Sequence, residues 1–399
     1  MQSESLRRWV RRSCRWAGRL RWAAFVLGIA LGAAVRVRGA EPASPARERV
    51  DHDRGYTYFN DKVAEVPWSI HVFKLDRTHP EFEFATTAGH GDEFGMSTVS
   101  EQLKALPPGW GQPVAAVNGD FYNRAEHYEG RPRDLQIRDG EVLSGPTGHA
   151  VLWIDPAGHP QMTNVTSRFR VVWPGGATSS LGLNEARGEA SVVLYTAAVG
   201  TSTHTVGGLE LELEAVDKSA WLPLRLGRTN VARVRSVRKE GDTPVGRDSL
   251  VLSVGPGALG SIPAVTTGAE LKLITETTPD LAGVKVAIGG GPTLVRGGKA
   301  MQWNGMIHMR HPRSAVGWNK DHFFLVEVDG RQSNLSVGMT FPELAAYMVK
   351  LGCDEAMNLD GGGSSTLWVM GNVMNNPSEG RERPGVNSLV VRRKNPSAR

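Results

Sequence analysis

At 399 residues with 40% hydrophobic side chains, the chain can bury a sizeable core, as one large domain or two smaller ones. Its 47 glycines and 23 prolines call for many tight turns, which argues against a helical bundle. The net charge of +5 is local: residues 1–40 hold nine arginines against the single acid Glu4, leaving 37 basic and 40 acidic residues elsewhere, so no nucleic-acid partner is expected.

Those first 40 residues read as an export signal. Arginines from Arg7 to Arg21 precede an apolar run, Ala23 to Val35, and small residues follow at Gly39 and Ala40. The run falls short of the roughly 20 residues that cross a bilayer. Arg36 and Arg38 disturb the usual cleavage pattern, so two outcomes stand. Cleavage would release the chain to the periplasm or the exterior. An uncleaved segment would anchor it to the membrane, which is the only membrane contact expected. Residues 41–54, with Pro42 and Pro45, read as a linker to a domain spanning 55–395. Cys14 belongs to the signal, so Cys353 is left as a lone thiol, expected to pack in the core.

Along the domain, a strand from Ile70 to Leu75 ends at Asp76, and Gly95-Met96-Ser97 leads into a helix over Thr98 to Leu106. Thr98 and Glu101 are spaced as a capping box. A strand from Val114 to Val117 then ends in Asn118-Gly119-Asp120, and Asp139-Gly140 marks a hairpin. Residues 150–280 are rich in short β-type runs: Val151 to Asp155, Phe169 to Trp173, Ser191 to Tyr195, Leu209 to Val216, Val231 to Val237, Leu250 to Val254 and Leu271 to Thr275. Turn signals separate them, as in an antiparallel layer. Gly297-Gly298 marks another hairpin.

The C-terminal third repeats the opening arrangement. A strand from Phe323 to Val328 ends at Asp329, and Gly338-Met339-Thr340 opens a helix capped by Thr340 and Glu343. That helix shows Leu344, Met348 and Leu351 on one face and stops at Gly352; a strand from Glu355 to Met357 then ends in Asn358-Leu359-Asp360. Each strand–helix–strand unit predicts that its two acids, Asp76 with Asp120 and Asp329 with Asp360, share one sheet edge, and a pseudo-twofold repeat of the units would bring Asp120 and Asp360 to one cleft with Arg313. The expected fold is α/β to α+β, with mixed, strand-rich sheets and flanking helices.

Asp360 is followed by Gly361-Gly362-Gly363-Ser364-Ser365. An acid at a strand end before three glycines suits a backbone that approaches a ligand, with N–H groups forming an anion nest and the serines adding donors. No Walker lysine accompanies it, so nucleotide binding is not supported. Arg313 and Arg383 are forks suited to a phosphate. Histidines and cysteines lack a zinc spacing, and no cofactor is fixed by the sequence; an acid-rich site could hold Ca²⁺ or Mg²⁺.

Taken in order, Asn118-Gly119-Asp120-Phe121, Gly289-Gly290-Gly291-Pro292, Arg313-Ser314-Ala315-Val316-Gly317, Asp329-Gly330-Arg331, Asn358 to Ser365 and Glu382-Arg383-Pro384 resemble the phosphodiester glycosidase family. The resemblance spans about residues 60–392. It implies a hydrolase that cleaves the C1–O bond of a carbohydrate phosphodiester, in envelope or exopolysaccharide metabolism. Asp120, Asp329 and Asp360 would be catalytic. Asn118, Arg313, Asn358, Gly361, Gly362, Gly363, Ser364, Ser365 and Arg383 would bind substrate, with Arg313 and the glycine loop holding the phosphate. Ser314, Val316 and Gly385 depart from the commoner family residues, in packing more than in chemistry. A metal-dependent phosphodiesterase and a non-catalytic envelope glycan binder are the competing readings.

Overall fold

A computed structural model describes residues 55–395, apart from 123–127, 217–220 and 304–307. The export and linker segments lie outside the described residues. From Arg49 onward the chain forms one compact unit. No described helix is long and apolar enough to cross a membrane.

Four sheets carry the fold. A seven-stranded sheet runs in the order Tyr56–Val63, Trp68–Asp76, His322–Val328, Arg313–Trp318, Glu355–Asn358, Thr293–Arg296, Lys299–Ala300. A five-stranded sheet has Gln112–Asn118 at its centre, between Leu367–Val369 and Ser388–Arg393, with Phe82–Thr86 at one edge. A six-stranded and an eight-stranded sheet make up the middle of the chain. Nearly all pairings between these strands are antiparallel; Gly182–Leu183 with Val192–Tyr195 is the parallel one. The architecture is thus strand-dominated α+β.

Three apolar layers hold it together. Leu135, Val151, Leu194, Leu211, Leu252 and Leu271 fill the space within the middle sheets. Phe73, Val117, Val316, Leu325, Met357 and Leu389 bury one face of the seven-stranded sheet against the five-stranded one. Its other face is covered by a helix, α2 (Phe341–Lys350). Leu344 and Met348 of α2 are fully buried, each contributing about 1.5–3 kcal/mol by leaving water. Cys353 packs in the same layer, where burial, with Asp354 adding to it, pushes its thiol up to about 12.

Both expected capping boxes form. Thr98 caps α1 (Val99–Lys104) with Glu101, and Thr340 caps α2 with Glu343. Both hairpins close on left-handed residues, Asp139-Gly140 and Gly297-Gly298. The predicted internal repeat is not matched by the topology. In the second unit, His322–Val328 and Glu355–Asn358 run parallel, with Arg313–Trp318 antiparallel between them, and Asp329 and Asp360 share an edge. In the first unit, Trp68–Asp76 and Gln112–Asn118 belong to different sheets. Asp76 pairs across to His322, at the opposite end of its sheet from Asp329, whose amide meets Ser69. The strand Phe82–Thr86, unread in the sequence, pairs in the five-stranded sheet and diverts the chain there.

Candidate active site

The ends of Gln112–Asn118 and Glu355–Asn358 arrive from two sheets and are tied together. The Asp360 N–H donates to the Gly119 carbonyl at 2.9 Å, and Asn118 Nδ2 donates to the Asp360 carbonyl at 2.7 Å. Asn118 Oδ1 accepts from Ser314 Oγ at 2.6 Å and from the Thr366 N–H at 3.0 Å. Asn358 Nδ2 donates to the carbonyls of Gly291 and Leu359. Expected to touch substrate, Asn118 and Asn358 are instead buried brackets between loops. An amide suits that task because it offers donors and an acceptor at one point.

Asp120 is brought close to Asp360 by this bracket, but its carboxylate is inward. Oδ1 accepts from the Phe121 N–H at 2.8 Å and Oδ2 from the Asp134 N–H at 2.7 Å. Gly289 leaves the room for it: a Cβ there would sit 2.5 Å from Asp120 Oδ2. Desolvation outweighs the N–H bonds and Arg133, pushing the Asp120 carboxyl up to about 7. The folded state therefore holds the proton more tightly than the unfolded one, so stability falls as pH rises from about 4 to about 7. Asp120→Asn should remove up to about 4 kcal/mol of that fall, as measured by urea unfolding at each pH against the parent chain. A variant that keeps the same slope would mean that Asp120 is ionised throughout.

Asp360 is the expected acid that faces outward. Its side chain is 15% exposed, Oδ1 accepts from the Gly361 N–H at 2.9 Å, and Oδ2 lies 3.9 Å from Arg383 Nη2. Arg383 spans the glycine loop, donating to Ser364 Oγ from Nε at 3.2 Å and from Nη2 at 2.7 Å. Its Nη1 is 3.3 Å from Glu379, four residues earlier in sequence. Gly362 sits at φ +65°, a conformation that side-chain-bearing residues rarely adopt. The loop is not an open N–H nest, however. The amides of Gly362, Ser364 and Ser365 donate to the carbonyls of Pro312, Gly361 and Gly362. Gly363 packs beneath Glu379 and Arg383. The loop serves as a rigid floor, and Arg383 supplies the charge above it.

Arg313 is placed differently from expectation. Its Nε donates to the Met339 carbonyl at 2.8 Å and its Nη2 to the Met309 carbonyl at 3.0 Å. Its guanidinium carbon lies 4.0 Å above the Phe341 ring. Burial, with Arg331 nearby, lowers it to about 10. The side chain clamps the start of α2 to the strand Arg313–Trp318, beside the glycine loop. Of the two expected phosphate ligands, Arg383 is the one at the acid.

Asp329, expected to be catalytic, is completely buried. It accepts from the Asn376 N–H at 2.7 Å and sits 3.0 Å from His71 Nε2. Beside it is Glu327, which no sequence motif singles out. Neither oxygen of this fully buried carboxylate has a hydrogen-bond partner among the described residues. The Asn375 side chain, whose amide donates to the Ser365 carbonyl, lies close enough to favour the Glu327 carboxylate slightly. Burial first, and the Asp329 charge second, drive the Glu327 carboxyl well above the carboxylate range. Asn60, His71, Glu327 and Ser314 are cross-strand neighbours in one row. The signal in the sequence was a lone acid inside an apolar strand (His322–Val328) and a lone histidine inside its neighbour. A cleft of about 800 Å³ is lined instead by residues such as His90, Trp110, Arg138 and Asp139, and none of the site groups above borders it.

Residues 229–392 match the phosphodiester glycosidase family model. That span includes Arg313, Asp329, Asp360, the glycine loop and Arg383, while Asn118 and Asp120 precede it. The SPbeta prophage-derived protein YomE of Bacillus subtilis strain 168 is 40% identical over 86 residues, 21% of this chain and 13% of YomE. A hypothetical protein of Synechocystis has a similar structure, with a TM-score of 0.67 at 18% identity over 85% of this chain and 62% of that one. A Burkholderia pseudomallei K96243 protein whose name describes it as exported gives 0.62 at 22% identity, over 81% and 74%. The chain thus spans only 13% of YomE's length and 62% of the Synechocystis protein's. These structures share the fold. The match of this chain to the phosphodiester glycosidase family model thus falls on residues 229–392, the stretch that holds Asp360 and Arg383.

Proposed function

We propose that this protein is an exported hydrolase that cleaves the C1–O bond of a sugar-1-phosphodiester. The observation that carries the reading is the outward Asp360 carboxylate beside Arg383, above a floor of Gly361 to Ser365. Breaking a glycosidic bond to phosphate builds positive charge at C1 and negative charge on the departing phosphate. A carboxylate answers the first and a guanidinium the second. Phosphate is a weak base, so the leaving group needs charge stabilisation more than a proton. Water adds its oxygen to C1, and the phosphate departs as a monoester still attached to the other partner. In this scheme Asn118 and Asn358 hold the two strand ends in register, and Asp120 stiffens the loop before them. The family match supports the reaction class; the arginine-rich N-terminus and the exported name of the Burkholderia protein support the location.

The reading is tested by incubating the purified protein with a panel of sugar-1-phosphodiesters in ¹⁸O-water. Label should appear at C1 of the released sugar and be absent from the phosphate. Label in the phosphate would identify P–O cleavage, and a phosphodiesterase would replace the glycosidase.

A further inference from the structure

Two buried carboxylates and an imidazole lie together beneath the glycine loop, and the scheme above gives them no task. His71, Glu327 and Asp329 each present a donor atom within 4.8 Å of the others. They are 5%, 0% and 0% exposed. No donor meets either oxygen of Glu327 in good hydrogen-bond geometry among the described residues, and the Asn375 side chain is the polar group close by. Ligand atoms within 4.8 Å of one another suit an ion, whose ligands at about 2.0–2.2 Å stand about 3–4 Å apart. The hydrogen bonds of Asp329 come from His71 and the Asn376 amide, and no arginine or lysine joins them. Two neighbouring carboxylates in a closed interior, with only one imidazole beside them, are costly unless a positive charge or a proton sits between them.

We propose that His71, Glu327 and Asp329 bind one divalent first-row transition ion, zinc or manganese. One imidazole nitrogen with two carboxylate oxygens favours these ions over Ca²⁺ and Mg²⁺, which prefer oxygen alone. The Tyr58 hydroxyl lies 2.7 Å from His71 Nδ1. With Nδ1–H donating to that oxygen, the Nε2 lone pair is free for the ion, which would replace the hydrogen bond to Asp329, the usual arrangement for a ligating histidine. The site is closed to solvent, so its task is structural. Asn376 runs from Asp329 to the segment carrying Asn375, whose side chain holds the Ser365 carbonyl and the Leu367 amide. An ion there pins the far end of the glycine loop.

The test uses the full chain without a histidine tag, stripped with a chelator and then dialysed against Zn²⁺ or Mn²⁺. Elemental analysis should find about one equivalent retained, and the ion should raise the melting temperature by roughly 5 °C at a hundredfold excess over Kd. Glu327→Gln should lower ion affinity at least tenfold while far-UV circular dichroism is unchanged. Should that variant fail to fold, His71→Gln and the ion-dependent melting of the parent chain decide the same question. No stoichiometric ion in the parent chain, retention of Ca²⁺ or Mg²⁺ alone, or equal retention in a folded Glu327→Gln would overturn the proposal. The readout is metal content, so it is independent of whether the hydrolase reading holds.

Discussion

Asp360→Asn should lower kcat on sugar-1-phosphodiesters by about a thousandfold or more, roughly 4 kcal/mol of transition-state stabilisation. The substitution keeps an oxygen to accept the Gly361 N–H and removes only the charge that the proposed reaction sets against the anomeric carbon. Folding should hardly register it. The side chain is 15% exposed and its ion pair with Arg383 is long, at 3.9 Å, so a stability change within about 1 kcal/mol is expected. Steady-state kinetics and a melting curve on the same preparation separate the two effects. Activity retained within threefold would remove Asp360 from the chemistry and leave the outward face of the loop without a nucleophile or base.

Arg383→Ala should be the second large effect, and a selective one. A charge-assisted pair to the departing phosphate is worth on the order of 2–5 kcal/mol, about 30- to 4000-fold in kcat/KM. Neutral glycosides with a good leaving group carry no such charge and should change only a few-fold. Arg383→Lys should recover part of the loss, because a single ammonium cannot hold Ser364 Oγ with two nitrogens and also meet the substrate. Arg313→Ala gives the contrasting pattern: with its donors on the Met339 and Met309 carbonyls, its loss should lower stability and depress both substrate classes together. Equal losses for Arg383→Ala on charged and neutral substrates would show that it, too, only positions the loop.

Much of the fold could be read from the sequence because its signals are local. Capping boxes at Thr98 and Thr340, left-handed hairpin turns, and apolar runs bounded by glycine each depend on a few adjacent residues. What misled was pairing at a distance. The resemblance between the two strand–helix–strand stretches is present in the sequence, yet Trp68–Asp76 pairs with a strand some 250 residues later, and Gln112–Asn118 goes to another sheet. At the site, the motif residues were found, but not which way they face. Whether an acid at a strand end turns outward, like Asp360, or inward, like Asp120 and Asp329, depends on the neighbouring sheet. Arg313 illustrates the same limit: the residue that resembles a phosphate ligand spends its donors on carbonyls from the helix start. Glu327 and His71 were legible only as odd polar residues in apolar strands, and their meeting required the register of two strands.

The strand Ser388–Arg393 lies between Gln112–Asn118 and Phe82–Thr86, and Asn387 just before it accepts from the Asp120 amide. During synthesis, then, the strand that carries Asn118 lacks both of its neighbours, Leu367–Val369 and Ser388–Arg393, until about 250 more residues have been made. Pairings of such long sequence separation are slow to close. The threading of the C-terminal strand into the middle of a sheet therefore makes the bracket around Asp120 one of the last parts of the fold to close.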